Sequence, residues 1–347
     1  MVATTLPSSR IVNTDVANAS RTRPSPAAVA FRAIQAALLP AATAGYLLWI
    51  ASMIRYRKVS GASATVLATV YSRWMQHQLG TRQDEPCARL MAVLPNAPPF
   101  ALWLFTAPTL LGHHLTRFIP RIYRYPYEGE PVLGHHAAAR TTFFDAALER
   151  HVDRIEQLVV LGAGLDTRAY RLPADGRIRC FEVDTPKTQA FKRAMLKKAG
   201  VAGPAVTYVE ADFQTQDWLE KLGAAGFDPA RPTFFLWESV SMYLDREAVE
   251  NTLRKIASVA RGGALGFDYV SQEVIDDRSP MMRYARFFLR LLHEPWIFGL
   301  ESTPPGDSHI SALLEACGLS LSEHQLVWQS PARTQVAAGF VLASGRA

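Results

Sequence analysis

A chain of 347 residues with 49% apolar and 20% charged side chains has length for one large domain or two ordinary ones, and its composition excludes wholesale disorder. Its net charge of +6 is unevenly placed: residues 1–125 hold 13 Lys/Arg against Asp15, Asp84 and Glu85, a basic front suited to an anionic partner such as lipid headgroups. The scattered cysteines Cys87, Cys180 and Cys317 argue against a disulfide framework or a cysteine zinc site and for a reducing compartment, and without zinc-finger spacing or an RNA-binding sheet motif no nucleic-acid partner is expected.

Residues 1–30 are rich in Ser, Thr, Ala, Pro and Arg without apolar periodicity, and are expected to be a disordered lead. Residues 33–54 carry no charge and lie between Arg32 and the basic group Arg55, Arg57, Lys58. A single apolar helix is expected within 31–60, either membrane-associated or packed on the body of the protein. A second charge-free stretch, 90–115, contains Pro95, Pro98, Pro99 and Pro108. Prolines should break it up, leaving an apolar piece at 100–111 that is too short to span a bilayer and serves as a lid or as core.

From about residue 155 short β runs alternate with helical patterns. Strands are predicted at 157–161 (QLVVL), 178–183 (IRCFEV), 206–210 (VTYVE), 233–237 (TFFLW) and 264–269 (ALGFDY), with helices at 187–198, 216–222 and 246–259. That alternation predicts an α/β, Rossmann-like, doubly wound and mostly parallel sheet. Runs at 319–328 and 334–342 are too close together for a parallel crossover, so they close the sheet as an antiparallel pair. The apolar stretch 281–292 (MMRYARFFLRLL) is expected to be a helix that caps the site or packs on the sheet.

The first strand empties into Leu161-Gly162-Ala163-Gly164-Leu165-Asp166-Thr167-Arg168. A Gly-x-Gly turn there lets backbone approach a ligand at the carboxyl edge of the sheet. Thr167 stands where a dinucleotide fingerprint has its third glycine, which disfavours NAD or FAD. Glu182 and Asp184 end the second strand on one face, and an acid at that place can accept hydrogen bonds from both ribose hydroxyls. Asp212 and Phe213 end the third, placed to meet an adenine amino group and ring. Glu238 emerges from the apolar fourth strand and needs a cationic partner, in a ligand or in the protein. Tyr243 and Tyr269, near strand ends, are candidates for an acceptor pocket, with core packing as the alternative for each. The adjacent pairs His113-His114 and His135-His136 lack the spacing of a helical metal site, so no metal is expected.

The runs VLGAGLDTRAYR from Val160, FEVDTPKTQAFKRAML from Phe181, ADF at 211–213, LWESVSMYL from Leu236 and FDY at 267–269 resemble the leucine carboxyl methyltransferase family. That family is a branch of the Rossmann-like methyltransferases that use S-adenosyl-L-methionine (SAM). The resemblance covers roughly residues 60–345 and implies a SAM domain over 61–347, with a helical cap or lid at about 61–135 and a sheet core from about 136. It implies SAM as cofactor, with Gly162 and Gly164 forming the turn, Asp184 on the ribose and Glu182 supporting it, Asp212 and Phe213 at the adenine, and Glu238 facing the methionine part. Arg140, in ARTTFFD, matches the position of an arginine that grips the methionine carboxylate. The expected reaction is O-methylation of a carboxylate, or of a hydroxyl, on a hydrophobic or lipid-like small molecule. The expected location is the cytoplasm, free or attached to the membrane through 33–54. Two alternatives remain at this point: a membrane-tethered, catalytically silent SAM-binding protein, and a nicotinamide-dependent oxidoreductase. The chain departs from the family's phosphatase-directed members in having no lysine between Gly61 and Trp74.

Overall fold

A computed structural model describes residues 24–60, 66–173, 175–202, 205–260, 262–292 and 294–345. In chain order the helices and strands are α1 (Pro26–Ala37), α2 (Leu39–Ser60), α3 (Val66–Gln78), α4 (Glu85–Val93), α5 (Pro99–Thr116), α6 (His136–His151), β1 (Gln157–Leu161), β2 (Arg179–Asp184), α7 (Pro186–Ala199), β3 (Val206–Glu210), α8 (Trp218–Ala224), β4 (Thr233–Trp237), α9 (Arg246–Val259), β5 (Ala264–Val270), α10 (Gln272–Asp276), α11 (Pro280–Leu291), α12 (Ser308–Ala316), β6 (Leu319–Trp328) and β7 (Val336–Gly345). The seven strands form one sheet in the order β3-β2-β1-β4-β5-β7-β6. Strands β1 to β5 run parallel, and β7 lies antiparallel between β5 and β6. This is the doubly wound, mostly parallel α/β sheet with an antiparallel closing pair that the alternation of elements implied.

Both faces of the sheet are covered, which is why β1, β4 and β5 are mostly apolar and buried throughout. On one face, Phe143 and Phe144 of α6 pack with Leu158, Val160, Phe234 and Phe340. On the other, Phe181, Phe235, Phe267 and Tyr269 pack beneath α8, α9 and α12. The helices begin where the sequence caps them: Thr185 accepts from Thr188 N at the start of α7, and Asp245 from Ala248 N at the start of α9. Strand order reverses between β1 and β4, so a crevice opens at the carboxyl ends of those strands.

The N-terminal third differs from expectation. Residues 1–23 of the expected lead lie outside the described residues, and 26–30 are helical, with Ser25 accepting from Ala28 N as the cap of α1. The expected single helix is two helices that bend by 63° at Leu38. Pro40 explains the break, since it offers no N–H to the Ala36 carbonyl. Among the described residues no single helix is long and apolar enough to cross a membrane. Nor do the prolines break up 99–116: α5 runs through Pro108, which is buried where α1 and α2 pack against it. Gly45 permits that packing, because a Cβ there would sit 2.8 Å from the Ala101 carbonyl oxygen and would clash with the Phe105 backbone. Trp49 and Met53 of α2 join Leu67, Cys87, Leu90 and Leu102 in a core of the helical layer. All three cysteines are free and buried: Cys87 in that layer, Cys180 within β2, Cys317 behind α12.

Candidate active site

The crevice at the strand ends has a volume of about 550 Å³. Its floor is the turn after β1. Gly162 and Gly164 adopt φ of 66° and 44°, in the left-handed region that favours glycine. A Cβ on Gly162 would also run into Val240. The Gly162 and Ala163 N–H groups donate to the Val183 carbonyl at 2.8 and 3.2 Å, which ties the turn to the end of β2. There Asp184 accepts from Gly164 N at 2.7 Å through one oxygen and from Thr185 N at 2.6 Å through the other. Burial raises its pKa, opposed by those two backbone donors.

Arg140, Gly162, Gly164, Asp184, Asp212, Phe213, Glu238 and Tyr243 all line the crevice. Phe213 rests on Trp218, ring centres 6.2 Å apart. Asp212 accepts from Gln214 N at 2.9 Å, which fixes the bend after β3. Glu182 lies beneath the crevice rather than on its wall. It is buried and held by Lys192 Nζ at 2.6 Å, and that ammonium also donates to the Asp166 carbonyl at 2.7 Å. Burial pushes Glu182 up to about 7 against the pull of Lys192. Its place is that of a support, without contact to the cavity.

Tyr269 does not belong to the cavity lining. It is buried under the sheet, packed on Gly339, and its hydroxyl lies 3.0 Å from His324 Nε2. Strand alternation is the reason, because Phe267 and Tyr269 face the α9 side while Asp268 faces the other. Asp268 accepts from Ser239 N at 2.6 Å and stands 3.5 Å from Arg140 Nη1. Burial first, and the neighbouring Glu238 charge after it, push Asp268 up to about 6 against the pull of Arg140.

The sequence did not reveal a buried ionic network under the rim. Arg73 of α3 donates through Nη2 to both Glu238 oxygens at 2.9 and 2.8 Å and through Nη1 to Asp166 at 3.1 Å. Arg168 reaches Asp145, Asp166 and Glu238, each at 2.6 Å. Arg82 bridges Asp84 and Asp145, and the Thr167 hydroxyl donates to Asp84 at 3.0 Å. Burial pushes Glu238, Asp145 and Asp166 upward, but the surrounding arginines outweigh it and hold all three below the ordinary carboxylate range. The interval 61–74, where no lysine stands, thus supplies an arginine. A charged residue in the otherwise helical, mostly apolar run VLATVYSRWM was the available signal. Leu289 and Trp296 complete the outer lip beside Tyr243.

Arg140 and Ser239 border the crevice with atoms left unpaired. Arg140 Nε lies 3.1 Å from Glu238 Oε1 without hydrogen-bond geometry, and Arg140 Nε, Ser239 Oγ and Asp268 Oδ2 are buried without a hydrogen-bond partner. A ligand with a carboxylate and an ammonium satisfies donors and acceptors of this kind. Among the described residues, no three His, Cys, Asp or Glu are grouped as a metal site requires.

A parallel sheet with a switch point between β1 and β4, a glycine turn after β1 and acids at the ends of β2, β3 and β4 defines a doubly wound α/β protein with a polar crevice at its strand ends. Residues 125–257 match the leucine carboxyl methyltransferase family model. A protein of Parafrankia sp. (strain EAN1pec), provisionally named an S-adenosyl-L-methionine-dependent methyltransferase, is 35% identical over 181 residues, 50% of this chain and 56% of its own length. A protein of the same provisional name from Mycolicibacterium vanbaalenii is 38% identical over 122 residues, 35% of this chain and 40% of its own. The matches span about half the length of these relatives. Among solved structures, a duf574 family protein of Streptomyces avermitilis aligns over 70% of this chain and 92% of its own at 16% identity and a TM-score of 0.43.

Proposed function

We propose that the protein is a SAM-dependent O-methyltransferase whose acceptor is a hydrophobic small molecule presenting a carboxylate. The observation that carries this reading is the row of acids on consecutive strand ends, Asp184, Asp212 and Glu238, around one crevice with Arg140 at its inner end. In this reading Asp184, already fixed by two backbone N–H groups, accepts from the ribose hydroxyls. Asp212 and Phe213 hold the adenine by hydrogen bonding and ring contact. Arg140 meets the methionine carboxylate with its two-pronged fork, and Glu238 faces the ammonium, kept ionised by Arg73 and Arg168. In this reading the described residues from 66 to 135 form the cap and those from 136 to 345 the sheet core.

SAM supplies a methyl group on a positively charged sulfur. The protein's part is to align the acceptor oxygen with that methyl and to exclude water. Tyr243, Leu289 and Trp296 form the apolar lip through which the acceptor enters. A carboxylate is ionised at neutral pH and needs no general base, whereas a hydroxyl acceptor does. With three free buried thiols we place the reaction in the cytoplasm. The nicotinamide reading is disfavoured by Thr167, which is committed to Asp84 instead of opening the turn for a pyrophosphate.

Calorimetric titration tests the cofactor: SAM and its demethylated product should bind while NADH does not, and the reverse result overturns the proposal. Labelled methyl transferred to an extract tests the acceptor. Alkali should release the label as methanol, as from a methyl ester; an alkali-stable label identifies a hydroxyl acceptor instead, and the absence of any transfer favours a silent SAM-binding protein.

A further inference from the structure

We propose that the face formed by α11 with the outward sides of α2 and α5 docks on an anionic lipid bilayer, beside the mouth of the crevice. In α11, Met281, Tyr284, Phe287 and Leu291 recur every three or four residues, so they share one side of the helix, and all four are exposed, Phe287 at 65% and Tyr284 at 62%. The opposite side is committed to the protein: Met282 packs with Met242, Val270 and Val274, and Leu289 lines the crevice. Phe288 reaches the core that also holds Trp49 and Phe105, so α11 joins the cavity lip to the helical layer. Tyr284 stands near Tyr46 of α2, whose hydroxyl is pushed up by burial first and by Tyr284 second.

The apolar surface continues there. On α2, Leu39, Leu47 and Leu48 are exposed, and the outward side bears no charge before Arg55. On α5, Phe100 and Trp103 stack at 6.4 Å with both rings in solvent. A soluble surface seldom leaves so many large apolar side chains together.

Charge selects the occupant. Between Asp277 and Glu294 the chain has four arginines and no acid. Arg286 is spent on the Ile275 carbonyl at 2.8 Å, while Arg278, Arg283 and Arg290 are exposed. Beyond the C-terminal end of α5, Arg117, Arg121 and Arg124 surround a groove near exposed Leu115 and Ile122. An apolar plane rimmed by arginines matches an acyl layer beneath anionic headgroups. A second copy of this chain would bring the same positive rim against itself. The docking stands independently of the reaction, while its bearing on the acceptor, drawn from the lipid phase past Leu289 and Trp296, rests on the function proposed above.

The test is co-sedimentation of the full chain with phosphatidylcholine vesicles, with and without phosphatidylglycerol. Wild type should pellet with the anionic vesicles and be released by salt. The double variant M281E/F287E should lower partitioning by more than about tenfold. The double variant R283E/R290E should weaken binding to anionic vesicles by about fivefold for each charge lost and leave phosphatidylcholine binding unchanged. None of these residues lines the crevice, so SAM titrations without lipid should match wild type; they show that the variants fold and separate a failure of docking from a failure of the cofactor assignment. The proposal is overturned if wild type stays in the supernatant, if M281E/F287E pellets like wild type, or if light scattering finds a dimer that this variant splits while vesicles bind neither protein.

Discussion

The floor of the crevice and the outer helical layer invert each other's chemistry. Around the strand ends, Arg73, Arg82, Arg140, Arg168 and Lys192 are buried with Asp84, Glu182, Glu238 and Asp268. On α2, α5 and α11, Leu, Trp and Phe side chains lie in water. Buried charge and exposed apolar surface each cost free energy unless something compensates. At the crevice the compensation is internal, since arginine forks and carboxylates are matched at 2.6–3.1 Å. On the outer layer nothing within the described residues supplies it, which is why the two regions should answer mutation in opposite ways.

The largest effect should come from breaking the network. Arg168→Met leaves Asp145, Asp166 and Glu238 short of a cation, and urea unfolding should show a loss of about 3–5 kcal/mol; a loss under about 1 kcal/mol would mean that solvent already screens the site. Next, Asp184→Ala removes the acid that braces Gly164 and faces the proposed ribose. SAM affinity should fall by about a hundredfold, since charge-assisted hydrogen bonds are worth about 1.5–3 kcal/mol each, and an unchanged dissociation constant in calorimetry would place the ribose elsewhere.

A smaller, pH-dependent effect belongs to Asp268. Its folded pKa of about 6 stands above the ordinary 3.8, so the folded state holds a proton that the unfolded state gives up. The stabilisation that Asp268 contributes is therefore lost as pH rises from about 4 to about 6. Asp268→Asn should lack this slope, and parallel melting curves for the two proteins across that range would refute it. Asp145, Asp166 and Glu238 have the opposite sign: their stabilisation is present above the ordinary carboxylate range and is lost as pH falls below it. The smallest change is expected on the outer layer. Leu48→Ser, at an exposed site, should move the unfolding free energy by no more than about 0.5 kcal/mol; a larger loss in urea would show that the face is covered by the chain itself or by another copy.

Legibility in the sequence follows the range of the interactions. Strands β1, β3, β4 and β6 and helix α9 begin and end at the expected residues, because continuous apolar runs and side-chain caps are local signals. Gly162, Asp184, Asp212 and Glu238 were equally visible, since the carboxyl edge of each strand can be read once the strand is found. Arg73 was not, because its partners lie 93 and 165 residues away and no local pattern encodes such pairings. For Tyr269 the sequence left an acceptor pocket and core packing both open, and strand parity decides for the core, turning Asp268 to the opposite side of the sheet. Prolines misled in both directions. Pro40 ends a helix that composition extended, while Pro108 sits inside one that composition divided, and the difference lies in the helices packed around Pro108.

The three cysteines give the molecule a set of built-in reporters. Each sits in a different structural layer, and burial raises the pKa of each, that of Cys180 to about 12, so native thiols should resist alkylation. A maleimide that reacts first at Cys87 would time the parting of the helical layer from the sheet, and one that reaches Cys180 only with denaturant would time the opening of the sheet itself.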